Sequence, residues 1–190
     1  MFSSLITPPV ASVLSINDAK EQARISDTED DFLVSGLVSK ATAYFDAAAG
    51  VTGEALISQT WRLTLNNEDI FSGIPLPIGP VQSVTSVKYY ASDVLETLDA
   101  SNYRLTNGKV YLTAAGAWPS GDIREDAIQI DYVCGYGDAA SDVPETTRHA
   151  ITLLVSYFYN HREAAQEGSE TFSLAFSSLL AASRSERGLF

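Results

Sequence analysis

The chain has 190 residues, 45% of them hydrophobic, enough for a sizeable core and against wholesale disorder. A formal net charge of −12 at pH 7 argues against a surface that grips nucleic acid, because phosphate binding needs clustered Lys and Arg. The single cysteine, Cys134, excludes an intramolecular disulfide and a multi-thiolate metal site within one chain; in the apolar run Ile128, Ile130, Tyr132 it reads as a small buried hydrophobe.

The opening MFSSLITPPV has neither the basic nor the apolar region of a signal peptide. No stretch approaches the ~20 apolar residues that cross a bilayer. A soluble protein made in a reducing cytoplasm is expected, with no membrane partner. After an extended LITPPV, the segment SINDAKEQARI predicts a short helix ending near Ile25. Ser15 is its N-cap, and Asp18 three residues on completes a capping-box pattern.

A second helix start follows at SDTEDD, capped by Ser26 or Asp27, with Glu29, Asp30 and Asp31 where the helix dipole favours anions. The Thr28–Asp31 acids lack the glycine and spacing of a calcium loop, so capping is the expectation. Leu33, Leu37, Ala41, Tyr44 and Ala48 recur at helical spacing, with Val34, Val38 and Phe45 beside them, and Gly50 stops the helix.

From about residue 57 the period changes to two. Trp61, Leu63 and Leu65 alternate with Arg62 and Thr64, and VQSVTSVKYYA is β-branched and aromatic. YRLTNGKVYLT predicts two strands about Asn107–Gly108, a strong hairpin signal. AIQIDYVCGYG predicts a strand with Ile128, Ile130, Tyr132 and Cys134 on one face. Pro75, Pro77 and Pro80 are placed between strands, where they remove no ladder hydrogen bond.

The stretch DVPETTRHAITLLVSYFYNHREA returns to helical spacing, with Asp142 and Glu145 as a capping pair and Pro144 in the first turn. Its apolar arc, through Leu153, Leu154, Tyr157 and Phe158 among others, covers more than half the circumference. One helix on one core does not need that much, so a neighbouring surface is expected. His149 and His161 sit about 120° apart on the helical wheel and cannot share a metal from one helix. His149 falls on the polar arc, while His161 and Arg162 suit the negative end of the helix dipole. TFSLAFSSLLAASRSERGLF resumes helical spacing through Leu174, Leu179 and Leu180 and ends in an Arg-bearing tail.

Phosphate loops, G-x-S-x-G and G-x-G-x-x-G are lacking, and CGYG has no strand–turn–helix context. No catalytic residue, cofactor or metal is expected. The whole reads as α+β, one domain over residues 1–190, with a helical bundle core at about 15–50 and 142–184. A small antiparallel β module is inserted at about 57–137, and a tail runs over 185–190.

The order of segments carries more than any one of them. QTWRLTL, PLPIGPVQSVTSVKYY and VPETTRHAITLLVSYFYNHRE, within a series from about Thr7 to Ala164, resemble the head–tail connector family: the adaptor, or head-completion, proteins of long-tailed phages and gene-transfer agents. The resemblance implies a virion neck protein, made in the bacterial host cytoplasm, that forms a ring of copies, typically a dodecamer, below the portal protein. Such a ring extends the DNA channel, passes DNA without sequence-specific binding and docks the stopper or tail-completion protein.

It also implies that the C-terminal region, here about Thr171–Phe190, reaches the portal. Leu179, Leu180, Arg184, Arg187 and Phe190 are the expected portal contacts, although LLAASRSERGLF departs from the Pro-containing end common in relatives. Leu153, Leu154, Tyr157 and Phe158 are the expected subunit contacts. Two alternatives stay open: another neck or tail structural protein, such as a stopper or tail terminator, and a small enzyme.

Overall fold

The computed structural model describes residues 1–66, 73–114, 116–119 and 121–161, with positions 177, 178 and 181. In chain order its elements are β1 (Phe2–Thr7), α1 (Ile16–Ala23), α2 (Asp31–Phe45), β2 (Gln59–Leu65), β3 (Ile74–Pro75), β4 (Val81–Ala91), β5 (Val94–Leu98), β6 (Tyr103–Thr106), β7 (Lys109–Leu112), β8 (Ile128–Cys134) and α3 (Glu145–Asn160). The fold is mixed α/β with antiparallel sheets. Strands outnumber helices among the described residues, so the expected helical bundle is not the dominant feature.

Two compact units share the chain: Met1–Val10 with Ser58–Gly135, and Ala11–Ile57 with Tyr136–Phe190. The first holds a five-stranded sheet, β1-β2-β8-β4-β5, and a three-stranded sheet, β3-β7-β6. Every pairing in both is antiparallel. The period-two pattern of QTWRLTL becomes a strict alternation of buried and half-buried residues along β2. Leu63 faces Ile130, Leu65 faces Ile128 and Trp61 faces Tyr132 across the β2–β8 ladder, and all six are buried. Cys134 closes that face, fully buried, as its surroundings in the sequence imply.

The opposite face carries an ion pair. Arg62 and Asp131 are ladder partners, joined by Nε–Oδ1 at 2.7 Å and an Nη2–Oδ2 hydrogen bond of 2.9 Å. The Arg62 hydrogen bonds hold the Asp131 carboxyl below the usual carboxylate range against the opposing effect of burial.

Three features of this unit were not legible. β1 pairs with β2, so an opening segment read as merely extended is a sheet strand. Pro75 lies inside β3 rather than between strands; β3 is at the edge of its sheet, where the missing N–H removes no ladder bond. β5 joins β4 through Ser92 and Asp93, both left-handed at φ 53° and 61°.

In the second unit α1, α2 and α3 pack on one another around Val34, Val38, Ala41, Phe45, Ala150, Ile151, Leu154 and Val155. Ser15 caps α1 as expected: its Oγ accepts from the Asp18 N–H at 3.1 Å and donates to the Asp18 carboxylate at 2.7 Å. The cap of α2 differs from expectation, for the helix starts after Asp30, with no side-chain cap bond from Ser26 or Asp27. The acids there tie helices together instead: Lys20 reaches Asp31 at 2.5 Å, and the Tyr159 hydroxyl donates to Asp30 at 2.5 Å.

α2 also ends at Phe45, before Gly50. The Thr52 hydroxyl donates to the Phe45 carbonyl, the Val51 N–H bonds the Tyr44 carbonyl, and the Asp46 carboxylate accepts from the Leu56 N–H. The first two of these bonds satisfy carbonyls that a further turn would have used. At α3, Asp142 does not cap the helix with Glu145. Its carboxylate accepts from the Ala139 N–H and closes the 3₁₀ turn Ala140–Asp142, and Pro144 stands at the N-cap.

Candidate interaction surfaces

The broad apolar arc of α3 divides in two. Thr147, Ala150, Ile151, Leu154 and Val155 are buried within the helical unit. Leu154, expected at a subunit contact, is 5% exposed and belongs to the core of its own unit. Phe158 packs half-buried against that core, with the Lys40 ammonium 4.2 Å above its ring. Leu153 and Tyr157 remain half-buried at the surface. The Tyr157 ring stacks on His161 at 4.4 Å, and a His161 ring nitrogen lies 3.0 Å from the Tyr157 carbonyl. The portal set Leu179, Leu180, Arg184, Arg187 and Phe190 lies outside the described residues, as does Arg162.

His149 is exposed and lines an open recess of about 500 Å³ between α1 and α3 with Asp18, Glu21, Arg24, Glu145 and Arg148. The charges there are of mixed sign, and Arg148 is already paired with Glu145 one helical turn away. The two histidines are not brought together: His149 faces this recess, and His161 sits at the far end of the helix against Tyr157. Among the described residues no three His, Cys, Asp or Glu side chains form a group able to hold a metal ion. No described helix is long and apolar enough to cross a membrane.

The exposed apolar side chains are the more informative surface. On β1, Phe2, Leu5 and Ile6 are 68%, 44% and 47% exposed. At the other edge of the sheet, β5 shows Val94 and Leu95, and on α2 Phe32 stands almost wholly in solvent. Sequence reasoning missed β1 as a surface because six residues followed by two prolines carry too little periodicity to separate a strand from an extended arm. The signal available was composition: no side chain from Met1 to Asn17 is charged.

These features describe a protein of surfaces and edges, built on a β-rich unit and a unit whose described elements are mostly helical. No family model matches the chain, and no curated protein matches it. Among solved structures the chain is similar to one in the neck of an empty GTA particle computed with C6 symmetry. The two share 23% identity at a TM-score of 0.77, over 97% of this chain and 95% of that one. A chain in the virion of a native gene transfer agent (GTA) particle gives the same figures. A chain in the neck of a native GTA particle computed with C12 symmetry matches at 20% identity and a TM-score of 0.72 with the same coverage. At these identities the likeness establishes the fold.

Proposed function

We propose that this chain is a structural protein of a virion neck, a head–tail adaptor of a phage or gene-transfer agent. Its copies form a ring under the portal protein, extend the DNA channel and dock the stopper or tail-completion protein. The observation that carries this reading is the near end-to-end likeness to chains of GTA necks and virions, 97% of this chain on 95% of that one. The ordered segments from QTWRLTL to VPETTRHAITLLVSYFYNHRE support it, since they resemble those of the connector family.

The mechanism is mechanical rather than chemical. A ring needs each copy to present two different surfaces that fit one another. Half-buried Leu153 and Tyr157 on α3 offer apolar area for one of them once Leu154 is counted to the core. A body of charge −12 offers DNA phosphates little adhesion, which suits a conduit. Residues from Thr171 to Phe190, with Leu179, Leu180, Arg184, Arg187 and Phe190, are the proposed portal contacts.

The test mixes the purified chain with its cognate portal, with and without residues 171–190, and reads co-sedimentation. The full-length chain should co-sediment with the portal, and the truncation should lose at least tenfold in affinity. No binding by the full-length chain would overturn the adaptor reading; undiminished binding by the truncation would overturn only the tail assignment.

A further inference from the structure

Sheet edges are usually protected, because a row of unpaired N–H and C=O groups is a template for another strand. The two edges of the five-stranded sheet are protected very differently. β5 carries Glu96, held by the Tyr89 hydroxyl at 2.7 Å, and lies between Asp93 and Asp99. A second acidic chain meets carboxylates there. β1 has neither a charged residue nor a proline within it, and the first charged side chain in the sequence is Asp18.

One protective device is present on β1, a register shift between Leu5 and Thr7. It falls at the end of the strand and leaves Phe2, Ser3, Ser4 and Leu5 in unbroken pairing with β2. Among the described residues β1 has a neighbour strand on one side only.

We infer that β1 is a self-pairing edge: two copies of the free chain join β1 to β1, antiparallel, about a two-fold axis at Ser4, so that their five-stranded sheets become one. Charge is the first reason for choosing a second copy as the occupant. In a chain of −12, this edge without a carboxylate is where two bodies approach with least repulsion. Geometry is the second. A two-fold axis normal to the sheet keeps each copy's faces on the same sides, so Ser4 lies opposite the second copy's Ser4 and Ser3 opposite its Leu5.

Pairing β1 to a second copy's β5 would instead repeat without closing. Strands turn by about 20–25° at each pairing, so β5 is rotated far from β1 and successive copies wind into an open filament.

Area sets the strength. At about 200 Å² for a large side chain, the exposed parts of Phe2, Leu5 and Ile6 amount to roughly 300 Å² per copy, or about 600 Å² for the pair. Standing interfaces bury upwards of about 1,200 Å², so the pair is a weak one that forms at high concentration and opens readily. The inference goes beyond the ring reading. A ring of identically oriented copies has no such two-fold, so the pair is a form of the free chain that opens before a ring is built.

Sedimentation velocity on the full chain from about 5 to 500 µM should show a concentration-dependent dimer. Leu5→Lys, or Phe2→Lys should the first fail to fold, should weaken it at least tenfold with an unchanged circular dichroism spectrum. Because Cys134 is buried, Ser4→Cys supplies a reactive thiol, and a short bis-maleimide should couple two Ser4→Cys copies. A monomer throughout, a dimer indifferent to Leu5→Lys, or coupling of Ser4→Cys chains to Glu96→Cys chains in place of one another would overturn the pairing. A monomer would leave the ring reading standing, and failure to bind the portal would leave the pairing standing.

Discussion

Arg62 and Asp131 show what a single ladder pair adds to this sheet. Both sit on the half-polar face of β2 and β8, with side-chain exposures of 30% and 12%, so water screens the pair only in part. Replacing Asp131 by Asn leaves the guanidinium without its charged partner, a change that costs about 2 kcal/mol at neutral pH. The pH dependence follows from the direction of the shift. Asp131 is held below its ordinary value, so its contribution is complete above the unfolded carboxyl pKa of about 3.9 and is lost as pH falls through the folded value. Urea midpoints of the two proteins should therefore differ at pH 7 and converge towards pH 3; a constant gap would mean that the ion pair is not its source. The pair itself was not legible in the sequence, since Arg62 and Asp131 are 69 positions apart and only the register of β2 on β8 joins them. Cys134 was legible, because its apolar surroundings lie along its own strand.

At the scale of elements, what could be read was whatever local chemistry decides. The Ser15 cap, the alternation of β2 and the Asn107–Gly108 hairpin each depend on residues within a few positions, and each is present. Asn107 and Gly108 both adopt positive φ, as that two-residue turn requires. The β4–β5 hairpin was missed because its turn, Ser92–Asp93, has no glycine yet takes the same left-handed conformations. Asp122 supplies what glycine would have: its two carboxylate oxygens accept the Ser92 N–H at 3.0 Å and the Asp93 N–H at 2.7 Å. Asp122→Ala should thus cost about 1–2 kcal/mol, seen as a lowered urea midpoint and faster amide exchange along β5. Adding Asp93→Gly should restore part of that loss, since glycine takes positive φ without strain. If the second substitution worsens the first, the carboxylate is not what holds the turn. On α2 the apolar residues run so far round the helix that the pattern could not choose its centre. Packing chose Val34, Val38, Ala41 and Phe45 and left Tyr44 exposed.

For the molecule as a whole, charge argues most directly about function. A binder of duplex DNA gains affinity by releasing counterions as Lys and Arg neutralise phosphates, and loses it steeply with salt. Here 24 acidic residues stand against 12 basic ones, and among the basic ones Lys20, Arg62, Arg124 and Arg148 are engaged by carboxylates. With twice as many acids as bases, the acidic background repels a phosphate. Contacts between copies respond to salt in the opposite sense. Screening lengths shorten from about 30 Å at 0.01 M to about 10 Å at 0.1 M, so added salt relieves repulsion between like-charged chains and favours association through apolar edges. The expected outcome is a pair of opposed results on one sample. In gel shift at 50 mM salt the chain should leave a 200-base-pair duplex unretarded at ~10 µM, whereas sedimentation should show self-association growing between 50 and 500 mM. Retardation that vanished with salt would identify a basic surface and count against a passive conduit. Self-association that weakened with salt would mean that ion pairs, not apolar strand edges or helix faces, join the copies.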